Sequence, residues 1–437
     1  MLKKLLWCGL IYASLPIAAI AQFNIDGQYV LRAELRNGYG KLITDGADPA
    51  AFIGHRARLQ ASYTKSNFTF YLSIQDIRVW GNTPQTKTSD NLLSVHEAYV
   101  EGKLSEKWKV KLGRQELNYD NARFLGNLDW ALQARAHDFA LIKYESGNAK
   151  LHMGAGYNQD AQQLAGNTFT ISNQYKVAQL VRFENTWKKF HLSALYWNDG
   201  RQYTVVDSSG RITDKGIRYR QTLGLPAIKY QSGNTSLSAF YYYQFGKMPQ
   251  GLRLSAHDIS AQIVQQFNLD TASKRKLRIG IGFEIISGTP AGQVGKSNSF
   301  SPLYGTNHMH NGYMDLFYVG GAHENNVGLE DFFVKGRMDF NAKLFAQIDG
   351  HLFYTHKDVL NMSISGPGKY LGTELDFTIG YLVNDAVSLQ GGYSQLFKSD
   401  TFEAIQNNPD AKDFQNWAYI MFIFRPTHKN KFIGILF

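Results

Sequence analysis

Hydrophobic and polar residues alternate one by one along most of the chain, a period that puts successive side chains on opposite faces of an extended strand. Between Lys276 and Ile285, Leu277, Ile279, Ile281, Phe283 and Ile285 form an oily face against Lys276, Arg278, Gly280, Gly282 and Glu284. Leu344, Ala346, Ile348, Leu352 and Tyr354 oppose Gln347, Asp349 and His351, while Leu375, Phe377, Ile379 and Tyr381 oppose Glu374, Asp376, Thr378 and Gly380. Arg56, Arg58, Gln60 and Ser62 face away from Ala57, Leu59, Ala61 and Tyr63 in the same manner. A soluble sandwich would alternate too, so the connections have to decide. Short turns near residues 64–67, 105–107, 146–148, 185–189, 231–234, 268–273, 341–342 and 384–385 take turns with long segments. The long segments read as loops at 38–54, 80–94, 118–136, 158–175, 198–217, 246–256, 288–328, 356–369 and 398–416. Strict short and long alternation predicts an all-β, transmembrane up-and-down antiparallel β-barrel of about 18 strands, with short periplasmic turns and long extracellular loops. Tyr63, Phe68, Trp108, Tyr144, Phe190, Tyr230, Phe340 and Tyr381 flank the short turns, as one interfacial girdle would.

Composition is consistent with that architecture. The 437 residues are 44% hydrophobic and 14% aromatic but only 19% charged, which argues against disorder and against a charged coiled coil. Mean hydropathy is −0.31, no obstacle to membrane insertion when the apolar residues are spread by alternation. The single cysteine, Cys8, excludes a disulfide framework and a thiolate zinc site. Lys3 and Lys4, an apolar stretch through Ile20 and the pattern Ala19-Ile20-Ala21 make residues 1–21 read as a secretory signal. A mature chain from Gln22 would lose two lysines and no acid, so the formal net charge of +10 falls to +8. The barrel is then expected over 22–424, its first strand starting near Gly27, too early for a plug domain of the TonB-dependent kind. Trp417 to Phe424 reads as the last strand. Pro426 breaks the chain just past this strand, so 425–437 is read as a periplasmic tail in preference to a closing strand over Lys431 to Phe437.

With oily faces toward lipid, the other faces line a lumen. Arg32, Arg36, Arg56, Arg58, Lys109, Lys111, Lys150, Arg218, Arg220, Lys276 and Arg278 turn inward, joined by Glu34, Glu97, Glu101, Glu284, Asp349, Glu374 and Asp376. The reverse orientation would put charges in lipid at about 2–4 kcal/mol each at mid-membrane. A polar, net basic lumen concentrates anions, although charges that pair across the barrel would serve rigidity alone.

The densest polar run is Leu112 to Trp130, LGRQELNYDNARFLGNLDW. Together with SIQDIRVWG (Ser73 to Gly81), HEAYVE (His96 to Glu101) and YNQ (Tyr157 to Gln159), it resembles the alginate export family of outer-membrane porins. SPLYGTNH (Ser301 to His308) and GYMD (Gly312 to Asp315) resemble Bacteroidetes-type members. The resemblance implies a monomeric barrel in a Gram-negative outer membrane whose arginine-rich, acid-punctuated pore conducts an anionic glycan or related anions. Carried over by motif, Arg78, Glu97, Arg114, Glu116, Asp120, Arg123, Asp129 and Arg135 join Arg56, Arg58, Arg218, Arg220 and Arg278 as expected pore residues. Arginine offers a carboxylate a planar two-toothed fork, and interspersed acids keep each foothold weak enough for release. Expected partners are outer-membrane lipid and lipopolysaccharide, the barrel-assembly machinery, an anionic glycan substrate and periplasmic export proteins.

Rival readings carry less. His308, His310, His323, Asp315 and Glu324 in the 288–328 loop lack a metal-binding spacing, and that loop is expected to fold over or into the mouth as a lid. No G-x-S-x-G elbow, phosphate loop or HExxH motif accompanies His152 or His191, so a lipid-modifying barrel enzyme is disfavoured. The basic residues are dispersed, which argues against nucleic acid. A scaffold sheathing a partner in an export or electron-transfer complex would also suit a wide lumen. No cofactor is expected, and no haem motif is present.

Overall fold

The strands carrying the alternation pair in chain order. In the computed structural model, which describes residues 22–87, 89, 92–167, 169, 171, 174–318, 326–359, 368–435 and 437, the first are β1 (Gln22–Asn37), β2 (Ala50–Lys65), β3 (Phe68–Val79) and β4 (Leu93–Lys103). The proposed signal, residues 1–21, lies outside the described residues. Next come β5 (Trp108–Gln115), β6 (His137–Ser146), β7 (Ala149–Tyr157), β8 (Val177–Trp187) and β9 (Phe190–Val206). β10 (Ile212–Ser232), β11 (Thr235–Lys247), β12 (Arg253–Asp270) and β13 (Arg275–Ile286) follow, then the two-residue β14 (Lys296–Ser297). β15 (Leu329–Asp339), β16 (Leu344–Tyr354), β17 (Tyr370–Leu382), β18 (Val387–Lys398) and β19 (Gln415–Phe424) complete the wall. Apart from β14, which lies parallel to β12, each strand is antiparallel to its neighbours, and β19 pairs with β1 from Tyr29↔Phe424 to Asn37↔Asn416. The result is a closed barrel of 18 strands, and closure satisfies the edge groups that lipid would leave without partners.

Outward positions stay apolar: Ile279, Ile281, Val334, Ile348, Phe377 and Ile379 are all exposed on the barrel surface. Near the short turns the expected girdle is present, with Tyr63, Phe68, Phe340 and Tyr381 exposed, Trp108 against Tyr144 (centroids 5.0 Å apart) and Phe190 against Tyr230 (4.6 Å). Three boundaries differ from the sequence reading. The first strand begins at Gln22, five residues before Gly27. The segments expected as loops at 198–217 and 246–256 are mostly strand, because β9 and β10 stay paired out to Val206↔Ile212 and β11 and β12 to Lys247↔Arg253. Only the turns 207–211 and 248–252 remain.

The barrel is not an empty tube. Buried apolar side chains include Leu117, Phe124, Leu125 and Trp130 from the 116–136 connection, and Phe300, Tyr304, Tyr313, Met314 and Phe317 from the 287–318 stretch. They pack against inward wall residues such as Trp197, Tyr242, Trp417 and Tyr419. The core of this protein is therefore made where two loops enter the lumen.

Candidate functional site

Wall carboxylates and backbone groups hold the two inner loops in place. Leu125 bridges Tyr304 in parallel fashion, Gly126 N–H donates to the Tyr304 carbonyl (2.8 Å), and Thr306 N–H donates to the Ala122 carbonyl (2.8 Å). Met314 N–H donates to Glu374 (2.8 Å), Tyr313 N–H to Asp376 (3.3 Å), and the Asn311 amide to Glu284 (2.8 Å) and Asp331 (3.2 Å). Gly312 sits at φ +82° with a would-be Cβ only 2.5 Å from the Glu374 carboxylate, so glycine is required where the loop meets this wall.

Charge is segregated around the barrel. Asp258, Glu284, Asp331, Asp349, Glu374 and Asp376, on β12 to β17, are all buried; Glu284, Asp331, Glu374 and Asp376 hold the 307–318 loop, Asp258 pairs with Arg123, and Asp349 lies beside Lys335 and Gln347. Past β18 and β19, the neighbouring strands β1 to β3 contribute Arg32, Arg36, Arg56, Arg58 and Arg78. The polar lumen with inward acids and bases is therefore partitioned: Glu284, Asp331, Glu374 and Asp376 hold the inner loop, and the open space lies beside the arginines.

That space is a cavity of 1390 Å³ bounded by Arg32, Arg36, Arg78, Arg135 and Arg201, with Glu34 and Asp315 as its acidic members. Glu34 is shared by Arg32 (2.7 Å) and Arg36 (2.9 Å), while Asp315 accepts hydrogen bonds from the Tyr39 hydroxyl and from His308 Nδ1 (2.6 Å for the latter). Aromatic surface is offered by Trp130, on which His308 stacks with centroids 3.7 Å apart, and by Tyr39, Phe52 and Tyr304. Arg135 donates to the carbonyls of Gly126 (3.3 Å) and Gly305 (2.8 Å), and among the described residues no carboxylate pairs with it. Burial pushes its guanidinium down to about 10, still cationic at neutral pH.

The sequence-predicted residues fall into distinct places. Arg78, paired with Asp76 (2.8 Å), and Arg135 reach the cavity. Arg56, Arg58, Glu97, Glu116 and Asp129 come together below it: Arg56 binds Asp129 (2.8 Å), Arg58 donates to Gln75 (2.6 Å), and Glu97 accepts the Glu116 N–H (3.0 Å). Glu116 in turn contacts His96 (2.8 Å) and the Asn127 amide (3.0 Å). The consecutive His96 and Glu97 both face inward because the β3–β4 ladder slips between Ser73 and Ile74 and leaves His96 bulged. One ligand-type atom from each of His96, Glu97 and Glu116 lies within 4.8 Å of the others, yet His96 already engages Glu116 and Glu97 already holds a backbone N–H. Burial raises the Asp129 carboxyl, but Arg56, Arg425 and Arg58 outweigh it and hold it well below the usual carboxylate range.

The remaining predicted residues lie elsewhere. Asp120 anchors its loop through Arg182 (2.8 Å) and Ser193 (2.6 Å). Arg123 is fully buried against Glu284 (2.8 Å), Asp258 (3.4 Å) and Asn311 (2.8 Å), so it fastens one inner loop to the acidic wall and presents nothing to solvent. Arg114 lies on the outer face beside Asp138 (3.0 Å), because Lys109, Lys111 and Gln115 take the inward register of β5. Arg218 reaches the Pro249 carbonyl and stacks over Tyr203 (3.6 Å), Arg220 pairs with Asp199 (3.3 Å), and Arg278 binds Asp339 (2.7 Å) at the short-turn end. Trp130, His308, Arg201 and Tyr304 are cavity residues that the alternation does not single out. For Trp130 and Tyr304 the signal is the density of aromatic side chains in segments that read as solvent loops. Of the 288–328 histidines, His323 lies outside the described residues together with Glu324.

No curated protein matches the chain. Solved structures similar in fold are outer-membrane proteins of Pseudomonas aeruginosa: OpdK (11% identity, TM-score 0.56, covering 92% of this chain and 98% of that one) and OccK11, also called OpdR (12%, 0.56, 92% and 95%). OccK3, or OpdO, is alike (11%, 0.55, 92% and 95%). A family model described as alginate export matches residues 48–418, from just before β2 into the first residues of β19, and so spans both inner loops and all of the cavity lining except the residues that β1 and Tyr39 supply. With barrel, inner loops and family match in agreement, the chain belongs to the alginate export family and is an outer-membrane channel.

Proposed function

We propose that this channel passes anions passively, with acidic oligo- or polysaccharides of the alginate kind as the favoured class and smaller carboxylates or inorganic anions as the general case. The observation carrying this reading is the arginine-bounded 1390 Å³ cavity beside the Trp130–His308 stack. A uronate presents a carboxylate that a guanidinium fork can grip and a ring face that stacks on aromatic surface. Arg135, without a carboxylate partner among the described residues, supplies positive potential that its surroundings do not cancel. Glu34 and Asp315 would temper the grip, as conduction needs release as well as capture. OpdK, one of the similar barrels, is described in complex with vanillate, itself a carboxylate. The protein's own loops occupy much of the lumen, which speaks for a filtered channel over a sheath around a partner.

The test is a planar bilayer holding the refolded protein under a KCl gradient. The expected reversal potential has the sign of anion preference, and added oligouronate reduces the current. Anion preference with no block would narrow the function to small anions. Cation preference would overturn the reading.

A further inference from the structure

The chain does not stop at the wall. After β19 it turns back into the lumen, and residues 425–435 are fixed there by contacts from one side of the barrel to another. Arg425 N–H donates to the Ala386 carbonyl (2.8 Å) and its guanidinium binds Asp129 (2.9 Å). Ser388 donates to the Lys431 carbonyl (2.5 Å), and the Gln390 amide clasps the backbone of Ile433 from both sides, donating to its carbonyl (2.8 Å) and accepting its N–H (3.1 Å). Phe432 meets Phe345 edge-on with centroids 4.9 Å apart, and Ile433 is only 2% exposed. Ser388, Gln390 and Phe345 all lie within the first residues of strands that leave short turns, so the segment crosses the periplasmic mouth.

Its apex touches the cavity. Gly434, at φ +74°, packs so closely on Trp130 that a Cβ would lie 2.3 Å from Cε3 of the indole. Trp130 bounds the arginine-lined cavity and carries His308. A ring of the cavity wall therefore rests on the tail, and the neighbouring Asp129 is tied to the tail through Arg425.

We infer that residues 425–435 are an internal stopper: they close the periplasmic mouth beneath Trp130, and conduction requires that they shift. This rests on the channel reading above but not on the sign of its selectivity. The test compares single-channel conductance of the full chain with a chain ending after Arg425, which keeps β19 and the Asp129 pair, and with Gly434→Val, which puts a β-branched residue at a positive φ against the indole. Insertion is confirmed for each by heat-modifiable migration. The stopper predicts a several-fold rise in conductance for the truncated chain and a smaller rise, or more frequent opening, for G434V, with ion preference retained. Wild-type conductance in an inserted truncated chain overturns it. If the truncated chain does not insert, unchanged conductance and opening in G434V overturn it. Anion preference is read separately on the full chain, so failure of the selectivity reading and failure of the stopper give different results.

Discussion

Arg123 and Arg135 are both arginines of one inner loop, and they do opposite things. Arg123 is enclosed by Glu284, Asp258 and Asn311; Arg123→Ala would leave buried carboxylates without their cation, a loss of about 3–5 kcal/mol for a broken buried pair. The expected result is faster proteolysis within 300–318 while the barrel still shows heat-modifiable migration; unchanged protease resistance would remove Arg123 as an anchor. Arg135 is held by carbonyls alone among the described residues, so Arg135→Ala should lower anion preference and weaken oligouronate block. Arg114→Ala should leave both untouched, since that side chain sits on the outer face with Asp138. A shift of the reversal potential in the Arg114 variant, and none in the Arg135 variant, would reverse this assignment. Asp129 adds a pH statement. Its folded carboxyl is depressed by Arg56 and Arg425 despite burial, so its stabilising share is complete above the usual carboxylate value of about 4 and is lost only as pH falls through the lower folded value. Conductance should therefore be the same at pH 7 and pH 5 as far as the Arg425 tie is concerned, and acid opening within that window would implicate another group.

At the level of strands, lipid does the selecting. Ile281 projects outward from the middle of β13, 58% exposed, and Ile281→Lys should cost about 2–4 kcal/mol if that face meets the bilayer midplane; the urea midpoint for refolding into liposomes measures it. A midpoint unchanged by lysine would move this stretch out of the membrane. The same selection explains what could be read in the sequence. Where one face meets lipid and the other water, as in Lys276 to Ile285, alternation is enforced and the strand is legible. β9 and β10 continue from Asn198 to Val206 and from Ile212 to Ile217 on backbone pairing joined by polar contacts such as Tyr203 with Asp214 (3.0 Å), so no oily face marks them and their polar sequence reads as loop. Arg114 illustrates a different limit: placing Lys109 and Lys111 inward already puts residue 114 on the other face by period two, and the motif resemblance overrode that periodicity. The inner loops were legible only as aromatics out of place. Which wall they would meet depends on pairs such as Arg123 with Glu284, 161 residues apart in sequence, and no local pattern encodes such a partnership.

For the whole molecule, the position of charge matters more than its sum. A net +8 for a chain from Gln22 says little about selectivity, because at about 0.1 M salt charges are screened over roughly 10 Å and a passing ion answers to the wall nearest its path. The barrel has two such walls: arginines on β1 to β3 beside the cavity, and six buried carboxylates on β12 to β17, four of them bonded to the 307–318 loop. Covering the acids does two jobs at once. It spends their lone pairs on Asn311, Tyr313 and Met314, and it keeps their field away from the open space. Replacing residues 307–317 with a glycine-serine segment of equal length would remove the cover, and the Asn307 and Asn311 partners of Arg123, while leaving the arginines of β1 to β3 in place. The expected channel is wider and its anion preference is reduced or inverted, because water and ions then reach Asp258, Glu284, Asp331, Asp349, Glu374 and Asp376. Reversal potentials in a KCl gradient, taken on protein whose migration remains heat-modifiable, give the answer directly. A larger conductance with anion preference intact would mean that the acidic wall never governs the path, and that the loop serves packing rather than selectivity.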